Sequence, residues 1–332
     1  MRKYDIKGDF FDVQLHKGYL YIWDMDGVLS LYDWKAIKDT MNLVPRAATM
    51  HGNIRAFARF RKGQPVEVVG GLFPTDTAFI GNYLYTAVET GLYRGSAVTD
   101  SYRQSRYFTS SRPRKVWDCP PLSLAANYSG MQLAVSTGEE GLFEINLSKD
   151  VETRGINQGR DIYRVSAKKT IRSRYVKGGS IYSTDKDLNK FYHEFRLSKD
   201  NHGKSVRTFI QEYDFDSIVR DKWEAIAGTE NFSSLSRITK KGVEVYPVYR
   251  NQRAIRQKPI IEMEGTKRRL IAVESVSAGI IVEYENGLQL IGRHGEQLVK
   301  VNTPVTRWRW YQADGEKLLL VVLEDRLEIY EM

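Results

Sequence analysis

Short apolar runs separated by polar turns cover most of the 332-residue chain. The runs are rich in aromatic, β-branched and aliphatic residues, and many end at an acidic or polar turn that is followed by Gly-Leu or Gly-Val. Such runs are typical of strands, and Gly, Asn or Asp between them permits the tight turn of a hairpin. The pattern therefore predicts a series of β-hairpins. Helical candidates are few: the clearest is 33–44, and 215–228 is ambiguous.

The hairpin pattern recurs seven times, and this repetition carries most of the fold prediction. The copies with the glycine are "YLYIWDMDGVLSLYDW" (19–34), "YLYTAVETGLY" (83–93), "MQLAVSTGEEGLFEI" (131–145), "SLSRITKKGVEVY" (234–246) and "IIVEYENGLQLI" (280–291). The copies without it are "SIYSTDKDLNKF" (180–191) and "LLLVVLEDRLEIY" (318–330). Further strand-like runs flank most copies. Four strands per unit, repeated at roughly 40–50 residues, are the signature of a propeller blade.

The chain thus resembles β-propeller repeat proteins in architecture over nearly all its length. The repeats lack the signature dipeptides of the WD40 family, so the resemblance is not to a named propeller family. We predict an all-β, single-domain, seven-bladed β-propeller; six or eight blades are the alternatives. The predicted blades are 10–60, 77–108, 121–166, 171–213, 222–264, 269–301 and 305–332 plus 1–6, and 33–54 is an insertion with a short helix.

The two ends of the chain predict how the ring closes. The last unit stops after its third strand, at 330–332, and the strand candidate 2–6 at the start of the chain belongs to no earlier unit. If 2–6 forms the outer strand of the last blade, strand pairing closes the ring and removes an exposed edge.

The first hairpin also resembles the first motif of the haloacid dehalogenase superfamily, an apolar strand followed by Asp-x-Asp-Gly. The resemblance implies that Asp24 is a carboxylate nucleophile and Asp26 a general acid/base, with Mg²⁺ between them. Such an enzyme needs helices between its strands and an acidic pair after a later strand, and the sequence offers neither convincingly. We interpret the motif as the acidic turn of the first blade. We predict no metal site, and Asp24 and Asp26 are the alternative cation ligands.

The amino-acid composition limits the expected cellular compartment and the expected class of binding partner. Cys119 is the only cysteine, so no disulfide can form within the chain and a reducing compartment fits best. No secretory signal opens the sequence, and the longest apolar run, 318–323, is too short to cross a bilayer. We expect a cytoplasmic protein that does not act at a membrane. The formal net charge of +9 favours acidic partners, whether protein or nucleic acid.

Basic residues between predicted blades are the candidate binding site. They are Arg112, Arg114, Lys115, Lys267, Arg268 and Arg269. The five histidines lack zinc-site spacing and no Gly-x-Ser-x-Gly motif occurs, so we predict neither catalytic residues nor a cofactor. The leading hypothesis is a non-catalytic scaffold that binds a protein partner. One alternative is a nucleic-acid-binding propeller that uses the basic loops, and another is an enzyme with a cation or phosphoryl site in the central channel.

A run of basic and aromatic residues near the C-terminus has the residue types that a nucleic-acid-binding surface uses. In "TRWRWYQ", alternation places Trp308 and Trp310 on one side of a strand and Arg307, Arg309 and Tyr311 on the other. Arginines beside aromatic rings could bind phosphates and stack on bases. We interpret the run instead as a strand between two blades.

Overall fold

A computed structural model describes residues 1–25, 29–42, 74–96, 113–127, 131–147, 156–175, 179–187, 189–199, 201, 205–214, 223–227, 233–239, 242–248, 270–292, 295–313 and 315–332. These residues form 26 strands and two helices. Neither helix in the described ranges approaches the length and apolar character that a bilayer span needs.

The first nineteen strands lie before residue 250. They are β1 (Arg2–Lys7), β2 (Phe10–His16), β3 (Tyr19–Asp24), β4 (Leu29–Asp33), β5 (Asp76–Ile80), β6 (Tyr83–Val88), β7 (Gly91–Ser96), β8 (Arg114–Trp117), β9 (Ser123–Asn127), β10 (Gln132–Ser136), β11 (Leu142–Asn146), β12 (Ile162–Ser166), β13 (Arg172–Tyr175), β14 (Ile181–Thr184), β15 (Lys190–Lys199), β16 (Ser205–Asp214), β17 (Trp223–Ala227), β18 (Ser233–Thr239) and β19 (Gly242–Val248). The others are β20 (Leu270–Val276), β21 (Gly279–Tyr284), β22 (Gly287–Gly292), β23 (Gln297–Val301), β24 (Arg307–Ala313), β25 (Glu316–Val322) and β26 (Arg326–Glu331). The helices are α1 (Trp34–Asn42) and α2 (Gln158–Asp161).

The described strands form seven antiparallel sheets, five of four strands and two of three. The four-stranded sheets are β5–β8, β9–β12, β13–β16, β20–β23 and β24–β26 with β1; the three-stranded sheets are β2–β4 and β17–β19. For the two three-stranded sheets, the predicted fourth runs at 55–60 and 259–265 lie outside the described residues. Strand β1 pairs with β26 from Arg2 opposite Glu331 to Lys7 opposite Arg326.

The chain divides into two compact units, and the first contains β1–β4, α1 and β20–β26. One core cluster joins β1–β3, α1, β25 and β26 through buried side chains such as Ile6, Leu20 and Leu320. Helix α1 contributes Ile37, which is buried in this cluster, and the indole of Trp34, whose Nε1 donates to Glu316 Oε2 at 3.1 Å. A second cluster joins β21–β26. Apolar residues on alternate positions of antiparallel strands thus build both cores.

The second unit contains β5–β19 and α2. Its largest described core cluster lies between sheets β5–β8 and β9–β12, with Tyr85, Leu92 and Leu133 at its centre. A smaller cluster joins β9–β12 to β13–β16 through Leu142, Val165, Ile181 and Phe195. The sheets β5–β8, β9–β12 and β13–β16 therefore bury apolar side chains against one another in sequence order.

The glycine of the hairpin pattern has a packing role. A Cβ atom at Gly91, Gly141 or Gly287 would lie less than 3.0 Å from a backbone carbonyl oxygen near the fourth strand of the same sheet, namely that of Trp117, Ser166 or Val301. Only glycine allows this approach. The Gly-Leu pair thus marks where the third strand begins against the end of the fourth.

The strand positions decide one ambiguous segment and correct one blade boundary. The segment 215–228 contains strand β17 at Trp223–Ala227, which pairs antiparallel with β18. The fourth strand of the second sheet is β8 at Arg114–Trp117 and lies beyond the predicted blade 77–108. Helix α1 at Trp34–Asn42 lies within the segment 33–54, and residues 43–54 lie outside the described residues.

Candidate functional site

The predicted basic site is only partly within the described chain. Arg114 and Lys115 lie on β8, the outer strand of its sheet, and not in a connection between sheets as the sequence suggested. Both side chains are exposed, and Lys115 Nζ pairs with Asp118 Oδ1 at 2.7 Å. Arg112, Lys267, Arg268 and Arg269 lie outside the described residues. Exposed positive charge on a short outer strand also protects a sheet edge from pairing with another chain.

The Asp-x-Asp motif lies at the end of β3. Asp24 is the last residue of that strand and is half-buried, while Asp26 lies outside the described residues. Strand β3 pairs antiparallel with both β2 and β4, so this stretch is a hairpin and not the strand of an α/β sheet. Among the described residues, no three His, Cys, Asp or Glu side chains come together as metal ligands would.

A ladder of polar side chains crosses the sheet β13–β16. His193 Nε2 is 2.8 Å from Ser183 Oγ, and His193 Nδ1 is 3.4 Å from Glu212 Oε2. The register explains the ladder, since His193 lies opposite both Ile181 and Glu212. Lys168, from the segment before β13, adds an ion pair to Glu212 at 2.9 Å and lies over the ring of Phe191.

Burial sets the protonation of this ladder. It lowers the pKa of His193 to about 4, with Lys168 acting in the same direction and Glu212 opposing it, so the imidazole is neutral at pH 7. Burial acts to raise the pKa of Glu212, but hydrogen bonds from Ser166 and Lys168 outweigh it and hold the pKa below its usual value. Serine, histidine and carboxylate stand here in the order of an acyl-transfer triad, but His193 Nδ1, which a triad bonds to its carboxylate, has no hydrogen-bond partner in the described chain. Ser183 is 1% exposed and His193 0%, so the ladder faces protein and not a substrate.

A second buried cluster ties β16 to the neighbouring sheet. Glu144 on β11 accepts hydrogen bonds from Tyr163, from Arg207 and, at 2.8 Å, from Tyr175. Arg207 also donates to the carbonyl of Gly179, and its guanidinium lies 3.4 Å from the ring centroid of Phe195. Burial raises the pKa of Glu144 to about 7, although Arg207 and Tyr175 act to lower it.

A buried carboxylate explains the two arginines of the "RWRWY" run. Asp12, fully buried on β2, accepts from Arg309 Nη2 at 2.7 Å and lies 3.3 Å from Arg307 Nη1. Burial acts to raise the pKa of Asp12, but Arg309 and Arg307 outweigh it and hold the pKa below its usual value. Trp308 and Trp310 pack on the other side against the cluster of β21–β26, as the alternation predicted. The two arginines therefore bind a carboxylate of the neighbouring sheet.

The residues of the two buried clusters in the second unit were not predicted from the sequence. Ser183, His193 and Glu212 lie on three successive strands, and the register between those strands brings them together. Polar residues at alternate positions of the predicted strands were the one indication in the sequence. Such residues lie on the strand face that packs against another sheet, where a buried polar side chain needs a hydrogen-bond partner.

Comparison with known proteins supports the fold. No protein-family model matches the chain, and no curated protein matches it significantly. An ancestral GH74 enzyme superposes on 98% of this chain with a TM-score of 0.56 at 11% identity; the chain spans about half the length of that enzyme, 48%. The outer coat vertex of COPII on membranes superposes on 99% of this chain, and 85% of that protein, with a TM-score of 0.59 at 11% identity. Both are propeller proteins, and at this identity the likeness shows a propeller-like, all-β fold alone.

Proposed function

We propose that this protein is a non-catalytic scaffold that binds protein partners in the cytoplasm. We further propose that its seven sheets are the blades of one ring, closed where β1 pairs with β26. The observation that carries the functional proposal is the position of the reactive side chains. Ser183 and His193 are buried and bind each other within sheet β13–β16, and Glu144 and Arg207 bind each other between that sheet and β9–β12, so these side chains stabilise the fold.

The similarity to a coat protein supports the same conclusion. The matched structure is a COPII coat assembled on membranes, which superposes on 99% of this chain and 47% of its own with a TM-score of 0.59. An assembled coat is held by contacts between proteins, and a propeller presents many loops on a rigid framework. The likeness to a GH74 enzyme keeps an enzymatic role as the competing proposal.

The basic residues separate protein binding from nucleic-acid binding. If Arg112, Arg114, Lys115 and Lys267–Arg269 contact phosphates, affinity for RNA or DNA should fall steeply with salt, because bound counterions are released. If they contact an acidic protein surface, charge reversal should slow association with that partner and leave the fold intact.

The experiment combines affinity capture with a salt titration. Tagged wild-type protein and the double variant R112E/R114E are used to capture partners from an extract of the native host, and both are titrated with fluorescent random-sequence DNA and RNA. We expect reproducible protein partners that associate more slowly with the variant. We expect no binding of the oligonucleotides at about 0.15 M salt, where non-specific Kd values are typically about 1–100 μM. Tight, salt-sensitive binding of the oligonucleotides that the variant weakens would overturn the proposal.

A further inference from the structure

Strand β16 is the fourth strand of its sheet and forms one edge of it. It differs from the fourth strands of the other described four-stranded sheets. The four strands β1, β8, β12 and β23 contain six residues or fewer, whereas β16 contains ten. A free edge is a template for pairing with another chain, and proteins usually shorten it or place charge on it. Strand β8 shows both devices, with four residues that include exposed Arg114 and Lys115. Strand β16 is long, and its exposed side chains are largely apolar.

Part of β16 belongs to a ribbon of only two strands. Strand β14 pairs with Lys190–His193 of β15, whereas Glu194–Lys199 pairs with β16 alone. An isolated two-stranded ribbon is marginally stable in water, and a third strand gives it an additional ladder of hydrogen bonds. The described chain provides no third strand beside β16.

Three of the five exposed large apolar side chains among the described residues of the second unit lie on this edge; the other two are Leu122 and Tyr163. Val206, Phe209 and Ile210 are 38%, 41% and 42% exposed. The ladder shifts register at this point, so that Ile210 has no residue opposite it on β15. A bulge of this kind redirects side chains on an edge strand. On β15, by contrast, Phe195 is buried and its N–H is bound to Ser180 Oγ at 3.1 Å, so the binding surface is the β16 edge.

The ribbon is held in position at its inner face. Arg207, in the middle of the exposed stretch, is bound to Glu144 and to the carbonyl of Gly179, and its guanidinium lies over Phe195. Phe195 and Phe209 meet edge to face at 5.5 Å. An edge that is already ordered loses little conformational entropy when a strand adds to it.

The charge of the ribbon selects the partner. In 194–199 and 205–210 the charged residues are Arg196, Lys199 and Arg207 with one acidic residue, the half-buried Glu194 at the start of the ribbon. The Arg207 side chain is occupied by Glu144, whereas Arg196 and Lys199 are exposed. Arg196 lies on β15 on the face of the ribbon that Val206 shares, and Lys199 lies on the opposite face. An extended segment with apolar side chains towards Val206 and Ile210 and long acidic side chains that reach past β16 to Arg196 and Lys199 complements this edge.

We infer that the edge of β16 at Val206–Ile210 binds an extended, acidic and apolar peptide segment of a partner protein by adding it as a strand to the ribbon. The inference rests on the proposed scaffold function and names the chemistry of one partner. A second copy of this chain is the competing occupant, since two such edges could pair with each other.

The test uses a capped, fluorescent peptide of alternating valine and glutamate and measures fluorescence anisotropy with the full-length protein. The matched probes are the same peptide N-methylated at alternate residues, which removes backbone donors and keeps every side chain, and a valine–lysine peptide. We expect binding of the valine–glutamate peptide and at least tenfold weaker binding of the other two. Equal binding of the N-methylated peptide would overturn strand addition, and this comparison needs only wild-type protein.

The site is tested with the double variant V206D/I210D. The matched control is I271D, at an apolar residue that is 41% exposed in the first unit. We expect at least a tenfold loss of peptide affinity with the double variant and none with the control. A wild-type dimer in sedimentation that V206D/I210D converts to monomer would overturn the inference in favour of a second copy. Capture of the same cellular partners by wild type and V206D/I210D would overturn the site and leave the scaffold function standing.

Discussion

At the scale of single residues, the glycine that reveals the repeat is required by packing. Gly287 opens β22, and a Cβ there would collide with the carbonyl of Val301 at the end of β23. Gly91 and Gly141 hold the corresponding positions in two other sheets. Each clash would be between the added Cβ and a backbone carbonyl oxygen, so no change of side-chain rotamer can relieve it. The sequence motif therefore reports a tertiary contact between the third and fourth strands.

The substitution G287A should destabilise the protein by about 1–3 kcal/mol, the range for forcing an extra methyl group into a packed site. The measurement is the free energy of unfolding from urea titration. The control is G95A on β7, where the nearest atom to an added Cβ is a flexible ring carbon of Pro113 at 3.9 Å. We expect that control to be close to neutral. Equal losses for both variants would contradict the packing argument.

At the scale of elements, the hairpins were predictable because both their alternation and their turn residues are local in sequence. The pairs β6–β7, β10–β11, β18–β19 and β21–β22 all fall on glycine-containing copies of the pattern. Strand β8 was not predictable, since its four residues "RKVW" follow a long segment and read as a basic connection. The length of the β15–β16 ribbon and the buried polar clusters depend on register and on packing between sheets, which no local pattern encodes.

The ladder of sheet β13–β16 predicts a loss of stability in acid. His193 has a folded-state pKa of about 4, below its usual value of 6.5, so the unfolded chain binds the proton first. Above pH 6.5 the imidazole is neutral in both states and does not lower the free energy of unfolding. As the pH falls from 6.5 towards 4, protonation of the unfolded chain lowers that free energy progressively. At about 1.4 kcal/mol per pKa unit, the loss is on the order of 3 kcal/mol. H193Q should flatten the dependence of unfolding free energy on pH between 7 and 5.

Glu144 provides a control of opposite sign. Its folded-state pKa of about 7 lies above the usual 4.5, so its effect on stability is favourable in acid and is lost as the pH rises through 7. E144Q should therefore steepen the loss of stability from pH 7 to pH 5 relative to wild type. Chemical denaturation at several pH values measures all three proteins. If H193Q and E144Q change the pH dependence in the same direction, the assignment is wrong.

At the scale of the whole molecule, the proposed ring depends on one strand from the start of the chain. Strand β1 pairs with β26 along its full length, and Tyr4 and Ile6 are buried in the core that β1 shares with α1 and β25. Tyr4 also donates to Glu331 at 2.9 Å and meets the ring of Trp34 edge to face. Burial of two such side chains contributes roughly 3–6 kcal/mol, a large part of the stability of an ordinary domain.

Deletion of residues 1–6 should therefore lower stability by several kcal/mol and expose the edge of β26. If the seven sheets form one closed ring, the loss is shared by the whole molecule, and calorimetry should show a single transition at a lower temperature. If the two compact units unfold independently, two transitions should appear and only one should move. Deletion of Met1 alone, which is 70% exposed, is the control and should leave the melting curve unchanged. A truncated protein that melts like the full-length chain would show that the pairing of β1 with β26 does not close the fold.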